Sequence, residues 1–165
     1  MNVPPKTVAT DAFWQAFARH AGLVDADYQV AAFGDGVAMA TELAELVVAD
    51  IKRATVSLAR DYEDGRAPPA TVGDFIVVID GTGAPRCIWR TTEIEIKPLG
   101  AVDARFAWDE GEGDRTREWW LAAHRRYFGR QAAREGFAFD DSIETVFERF
   151  TVVWPLSLAD PQHRP

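Results

Sequence analysis

The segment from Gly73 to Ile96 constrains the fold more than any other part of the chain. Gly73-Asp74 introduces Phe75-Ile76-Val77-Val78-Ile79, five apolar residues in a row, and Asp80-Gly81-Thr82-Gly83 follows with turn chemistry. A short run of aromatic and β-branched residues between such turn signals predicts a continuous apolar strand. From Pro85 to Ile96 the chain returns as another strand. There Thr92, Ile94 and Ile96 share one side, opposite Thr91, Glu93 and Glu95.

The flanking segments alternate between helix and strand. Asp11, the apolar positions Phe13, Trp14, Phe17 and Ala21, and a closing Gly22 predict a helix over about 11–21. Tyr28 to Phe33 alternates loosely as a strand, stopped by Gly34-Asp35-Gly36. Met39, Leu43, Leu46 and Val47 recur at helical spacing within 37–50. The period then changes: Ala54, Val56 and Leu58 alternate with Thr55 and Ser57, a strand signal from Lys52 to Leu58. A short helix is expected over 102–109, broken by Gly111-Glu112-Gly113. Asp114 is expected to cap a longer helix from Arg115 to about Glu135, closed by Gly136. Val146 to Trp154 reads as a last strand. Five or so strands with helices inserted between them predict an α+β fold, a small barrel-like sheet flanked by helices.

No internal repeat or composition break divides the 165 residues, so 1–165 reads as a single domain with its core at about 28–153. The ends are expected to be loose: residues 1–8, and the tail 155–165 with Pro155, Pro161 and Pro165. One cysteine, Cys87, in an apolar run, rules out an intrachain disulfide, suits a reducing compartment and reads as a small buried hydrophobe. The start, Met-Asn-Val-Pro-Pro-Lys, lacks a basic region followed by an apolar one, and no apolar stretch approaches a membrane span. The expected location is cytoplasmic, without membrane partners. The net charge of −8 argues against a protein held on long nucleic acid by charge alone, while leaving room for a local basic pocket or a small ligand.

The segment Ala49-Asp50-Ile51-Lys52-Arg53-Ala54-Thr55 lies where a helix hands over to a strand. Phe33-Gly34-Asp35 precedes it, Val72-Gly73-Asp74 follows, and Glu110-Gly111-Glu112-Gly113-Asp114 comes later. In order and spacing these motifs resemble the ASCH domain family, relatives of the PUA RNA-binding domain, over about residues 28–153. The resemblance implies a small PUA-like β-barrel with a cleft between barrel and helices, and a link to RNA metabolism. One bacterial member removes the acetyl group from N4-acetylcytidine with a Lys, a Thr three residues later and a downstream Glu; another is described as a ribonuclease. Carried over by motif, the catalytic set becomes Lys52, Thr55 and Glu110, with Glu112 as the competing acid. Arg53, Ser57, Arg90, Glu112, Trp119 and His124 are the expected substrate contacts. The family usually has Gly two residues ahead of the Lys, and here that position is Asp50.

Two physical constraints bear on this set. Residues 52 and 55 would point to opposite faces of a regular strand, so they converge only if the chain is still curling at 52–53. A helix C-terminus also favours a cation, so Lys52 serves as a base only if burial lowers its pKa, and otherwise anchors a ligand. The long helix carries Trp119, Trp120, His124, Tyr127 and Phe128, a core stripe or a stacking platform. No metal-ligand spacing appears, and neither a metal nor a cofactor is expected. The expected activity is an amidohydrolase acting on an N-acylated cytidine or similar modified nucleoside. The alternatives are a non-catalytic module binding a nucleotide or short single-stranded RNA, and a ribonuclease.

Overall fold

Five strands hydrogen-bond in the order β1-β3-β4-β5-β2, where β1 is Gln29–Ala31, β2 Ala54–Leu58, β3 Phe75–Ile79, β4 Pro85–Pro98 and β5 Glu144–Trp154. The structure is a computed structural model that describes residues 4–63 and 71–163. Only β1 and β3 run parallel; every other pair is antiparallel. The long partners β4 and β5 slip register at Ile88/Trp89 and again between Thr91 and Glu93. Such irregularities increase local twist. The sheet therefore curls into a half-barrel flanked by helices, the α+β, barrel-like architecture that the sequence pattern predicts and the resemblance implies. The helices are α1 (Val8–Ala21), α2 (Val37–Val48), the single turn α3 (Arg60–Glu63), α4 (Ala104–Glu110) and α5 (Arg117–Glu135). No helix among the described residues is long and apolar enough to cross a membrane.

The apolar run of β3 explains why helices cover both faces. Val77 and Ile79 pack with Trp14 and Phe17 of α1, whereas Ile76 and Val78 pack with Ala44 and Val47 of α2. Alternation thus gives each helix its own set from one strand. A third apolar group joins Val56, Leu58 and Phe147 of β2 and β5 to Phe106 of α4 and to Trp120, Leu121 and Phe128 of α5. Cys87 is buried in the α2 layer, where burial pushes its thiol up to about 12 and leaves it unreactive.

Two caps differ from the expected ones, for the same reason. Helix α1 starts at Val8 because Thr7 forms a capping box with Thr10; Asp11 instead accepts the Tyr28 hydroxyl at 2.6 Å. Helix α5 is capped by Thr116, whose hydroxyl accepts the Trp119 N–H at 3.1 Å. Asp114 holds that threonine, accepting its N–H and hydroxyl at 2.9 and 2.7 Å. In both places a threonine within about one helical turn of the expected aspartate takes the cap.

The C-terminal segment, expected to be loose, is anchored by a buried carboxylate. Asp160 accepts both Nε and Nη2 of Arg53, the Thr151 hydroxyl at 2.7 Å and the Val152 N–H at 3.0 Å. Ala159 beside it is fully buried. Removing this carboxylate takes the two-pronged partner from a largely buried guanidinium and leaves it only the exposed carboxylate of Asp50. Asp160→Ala is expected to lower unfolding stability in urea by about 3 kcal/mol. A change within about 0.5 kcal/mol, ordinary for a surface substitution, would show the anchor to be ornamental.

Candidate functional site

Between α2 and β2 the chain turns from helix into strand within residues 49–53. Asp50 makes the turn at a left-handed φ of 62°, a conformation Asp reaches more readily than most residues. The N–H groups of Ile51 and Lys52 both return to the Leu46 carbonyl, at 2.9 and 3.0 Å. The Asp50 carboxylate pairs with Arg53 at 2.6 Å. Aspartate thus supplies the turn expected of glycine, and its charge is directed to Arg53. Lys52 precedes the first residue of β2, so strand alternation does not govern it, and it lines one cavity together with Thr55.

The second half of the site arrives on the end of α4. Gly111 terminates that helix at φ 72°, and a Cβ there would lie 2.5 Å from the Ile51 carbonyl oxygen, so the close approach requires glycine. The Arg53 N–H donates to the Asp109 carbonyl at 2.7 Å. Arg115 donates to the carbonyls of Trp108 and Ile51 at 3.0 and 3.3 Å. These main-chain ties bring Glu110 and Glu112 to Lys52.

Lys52 is 1% exposed. Its Nζ lies 2.7 Å from Glu112 Oε1 and 3.6 Å from Glu110 Oε1. Burial disfavours the ammonium, but the two carboxylates outweigh it, and the Lys52 pKa is raised. Lys52 is therefore a resident cation rather than a base. Glu110 is equally buried; burial raises its pKa against the pull of Lys52 and His124. Burial also acts on Glu112, but there Lys52 prevails and holds the carboxyl below its usual range. Two neighbouring carboxyls are thus driven apart, one toward the protonated form and one toward the ionised form.

His124 and Trp120 complete the cluster from α5. The Trp120 indole N–H donates to Glu110 Oε2. The His124 ring stacks on Trp120 with centroids 3.8 Å apart. Nδ1 of His124 lies 2.9 Å from the Trp120 carbonyl, so it is the nitrogen that carries a proton. Nε2 then faces Glu110 Oε2 at 3.3 Å. Glu110, Glu112 and His124 each bring one potential metal-ligand atom within 4.8 Å of the others. The Lys52 ammonium lies against the two carboxylates of this cluster.

The cavity measures about 360 Å³. Lys52, Thr55, Glu110, Glu112, Trp119 and His124 all line it, alongside Phe33, whose ring lies 5.3 Å from the Lys52 Nζ. Three expected contacts lie elsewhere. Arg53 is engaged with Asp160, and the Ser57 hydroxyl pairs with that of Tyr62 at 2.6 Å. Arg90 lines a separate cavity beneath α1. Sequence reasoning placed Trp120 in the aromatic stripe without its link to Glu110. Its position four residues before His124, on the same helix face, was the available signal.

The ASCH domain family model matches residues 29–154. The ASCH domain from Lactobacillus crispatus JV V101 is 28% identical and superposes with a TM-score of 0.77, covering 86% of this chain and 92% of that one. A protein from Enterococcus faecalis V583 is 32% identical with a TM-score of 0.80, covering 87% of this chain and 86% of that one. No curated protein sequence matches.

Removing the resident cation leaves two buried carboxyls facing each other. Lys52→Met is expected to cost about 3–5 kcal/mol at neutral pH. Because Glu112 is depressed in the folded protein, its ion pair stabilises above the ordinary carboxylate range and is lost as pH falls. The difference between wild type and Lys52→Met should therefore shrink on moving from pH 7 to below the ordinary glutamate value of 4.5, measured by denaturant unfolding. A gap independent of pH would contradict this ion-pair account.

Proposed function

The chain belongs to the ASCH domain family, and on that premise we propose that its cavity hydrolyses an N-acyl amide on a modified cytidine or a similar small nucleoside. The observation that carries this reading is the division of two carboxyls around one buried ammonium, in a cavity that also presents a threonine hydroxyl. The carboxyl pushed toward its protonated form, Glu110, is suited to take up and return a proton, and the ionised Glu112 keeps the ammonium charged. The Thr55 hydroxyl attacks the acyl carbon, and its proton passes to the Glu110 carboxylate. The Lys52 ammonium faces the developing oxyanion. Glu110 then returns the proton to the leaving exocyclic nitrogen, which departs as the free amine. Water, deprotonated in turn by Glu110, attacks the acyl carbon; the bond to threonine Oγ breaks, Glu110 returns the proton to Oγ, and the acid is released. His124 and Trp120 orient the Glu110 carboxyl, and Glu112 keeps Lys52 charged.

A second reading, binding of a nucleoside or short RNA without chemistry, is favoured by one feature. Trp119 is partly exposed on the cavity wall, where a base could stack on it.

A paired assay decides between them. Wild type, Lys52→Ala and Glu110→Gln, each checked for folding by circular dichroism, are incubated with N4-acetylcytidine, and cytidine release is followed by chromatography. Release by wild type with loss of about 100-fold or more in both variants is expected for removal of charged catalytic groups. If wild type releases nothing, the hydrolase reading is lost; saturable tryptophan quenching by the same nucleoside would then establish the binding reading.

The pH profile supplies a further check. Glu110 must be ionised to accept the threonine proton, and its pKa is raised, so kcat/KM should climb with pH through a limb above the ordinary value of 4.5. A limb at or below that value would exclude Glu110 as the base.

A further inference from the structure

Arg90 leads to a second cavity, of about 230 Å³, on the α1 face of the sheet. It is built from three distant stretches of chain: Phe17 and His20 of α1, Phe75 and Arg90 from β3 and β4, and Leu156 and His163 from the C-terminal segment. The main cavity lies between α2, β2 and α5, so the sheet and its two helical layers separate the two.

We propose that this second cavity binds the phosphate group of a phosphate monoester. Charge is the first argument. The chain carries a net −8, yet none of the described residues lining this cavity is acidic, and an arginine and two of the chain's three histidines converge on it. The second is that Arg90 is uncommitted. Many of this protein's arginines are occupied by carboxylates, as in Arg53–Asp160 and Arg86–Glu45. Arg90 has no ion-pair partner among the described residues, and its guanidinium lies 5.8 Å from the Phe75 ring centroid. The third is that the donors are held in place. His20 packs on Trp154 with ring centroids 5.4 Å apart. His163 is set by its own N–H, which donates to the Asp160 carbonyl at 2.8 Å, and Asp160 is fixed through Arg53 and Thr151.

The donor set selects the ligand. A guanidinium fork satisfies a two-oxygen carboxylate by itself. Two histidines on separate stretches of chain add imidazole donors to that fork, which suits an anion with three terminal oxygens. Phe17, Phe75 and Leu156 give the carrier of that phosphate an apolar wall. The chemistry is the same whether the group belongs to a free mononucleotide or ends an RNA strand.

The test uses the full chain and the three histidine Cε1–H signals, those of His20 and His163 assigned through His20→Asn and His163→Asn. Inorganic phosphate is titrated first, then a nucleoside 5′-monophosphate, then a short 5′-phosphorylated RNA. The His20 and His163 signals are expected to shift saturably with inorganic phosphate while His124 stays still. Arg90→Gln should weaken that binding by about tenfold or more, as loss of a charge-assisted contact requires. Stationary His20 and His163 signals, or unchanged affinity in Arg90→Gln, would overturn the proposal. Equal affinity for mononucleotide and RNA would identify the ligand as a free phosphate monoester, and markedly tighter RNA binding as the end of a strand. A shift confined to His124 would place the ligand in the main cavity and count against this site.

Discussion

The candidate site depends on the burial of one ammonium group. Taking a lysine out of water costs several kcal/mol unless opposite charge and hydrogen bonds replace its hydration. Here the replacement is lopsided. Glu112 approaches to 2.7 Å and Glu110 stays at 3.6 Å, while the Phe33 ring faces the ammonium from 5.3 Å. One carboxylate is therefore consumed in holding the cation. The other, more deeply buried, is left with partners that do not neutralise it fully: an indole N–H and an imidazole. The opposite pKa displacements of the two glutamates follow from that unequal distribution of one positive charge.

The backbone is arranged to permit this. A lysine beside Thr55 within β2 would alternate with it across the sheet. The left-handed turn at Asp50 places Lys52 in neither α2 nor β2. Gly111 then allows the end of α4 to press against Ile51 without a side chain between them. Hydrogen bonds from Arg53 and Arg115 to main-chain carbonyls hold the two turns together, so the site rests on backbone geometry more than on flexible side chains. Rigid support of this kind keeps a charged cluster from relaxing into water.

Most of the architecture was legible because it is written in periodicity. The β3 run, the alternation of β2 and β5, and the helical spacing of α2 and α5 each state their element directly. The convergence of Lys52, Thr55, Glu110, Glu112, Trp119 and His124 could be anticipated only through the family resemblance, since no local pattern places residue 52 beside residue 112. The misread features share a physical character. Arg53, Ser57 and Asp160 are polar residues whose partners are remote in sequence or brought near by a turn, and pairing of that sort leaves no periodic trace. The C-terminal segment looked loose because its prolines break regular structure. Its order comes from Asp160, one carboxylate taking four donor groups.

That same carboxylate ties the two cavities to one scaffold. Asp160 grips Arg53, the residue after Lys52, and Arg53 also donates to the carbonyls of Val47 and Lys52 at 2.9 and 2.8 Å. Through its own carbonyl Asp160 sets the backbone of His163. A single buried ion pair therefore braces the turn that presents the lysine on one side of the sheet and the segment that closes the basic cavity on the other. Such contiguity does not make the cavities communicate, since coupling requires an element with two alternative states. It does explain why the C-terminal segment folds back across the sheet: without it Arg53 would keep only the exposed Asp50 carboxylate, beside the buried Lys52 ammonium, and the guanidinium that caps the Val47 and Lys52 carbonyls would be less firmly held.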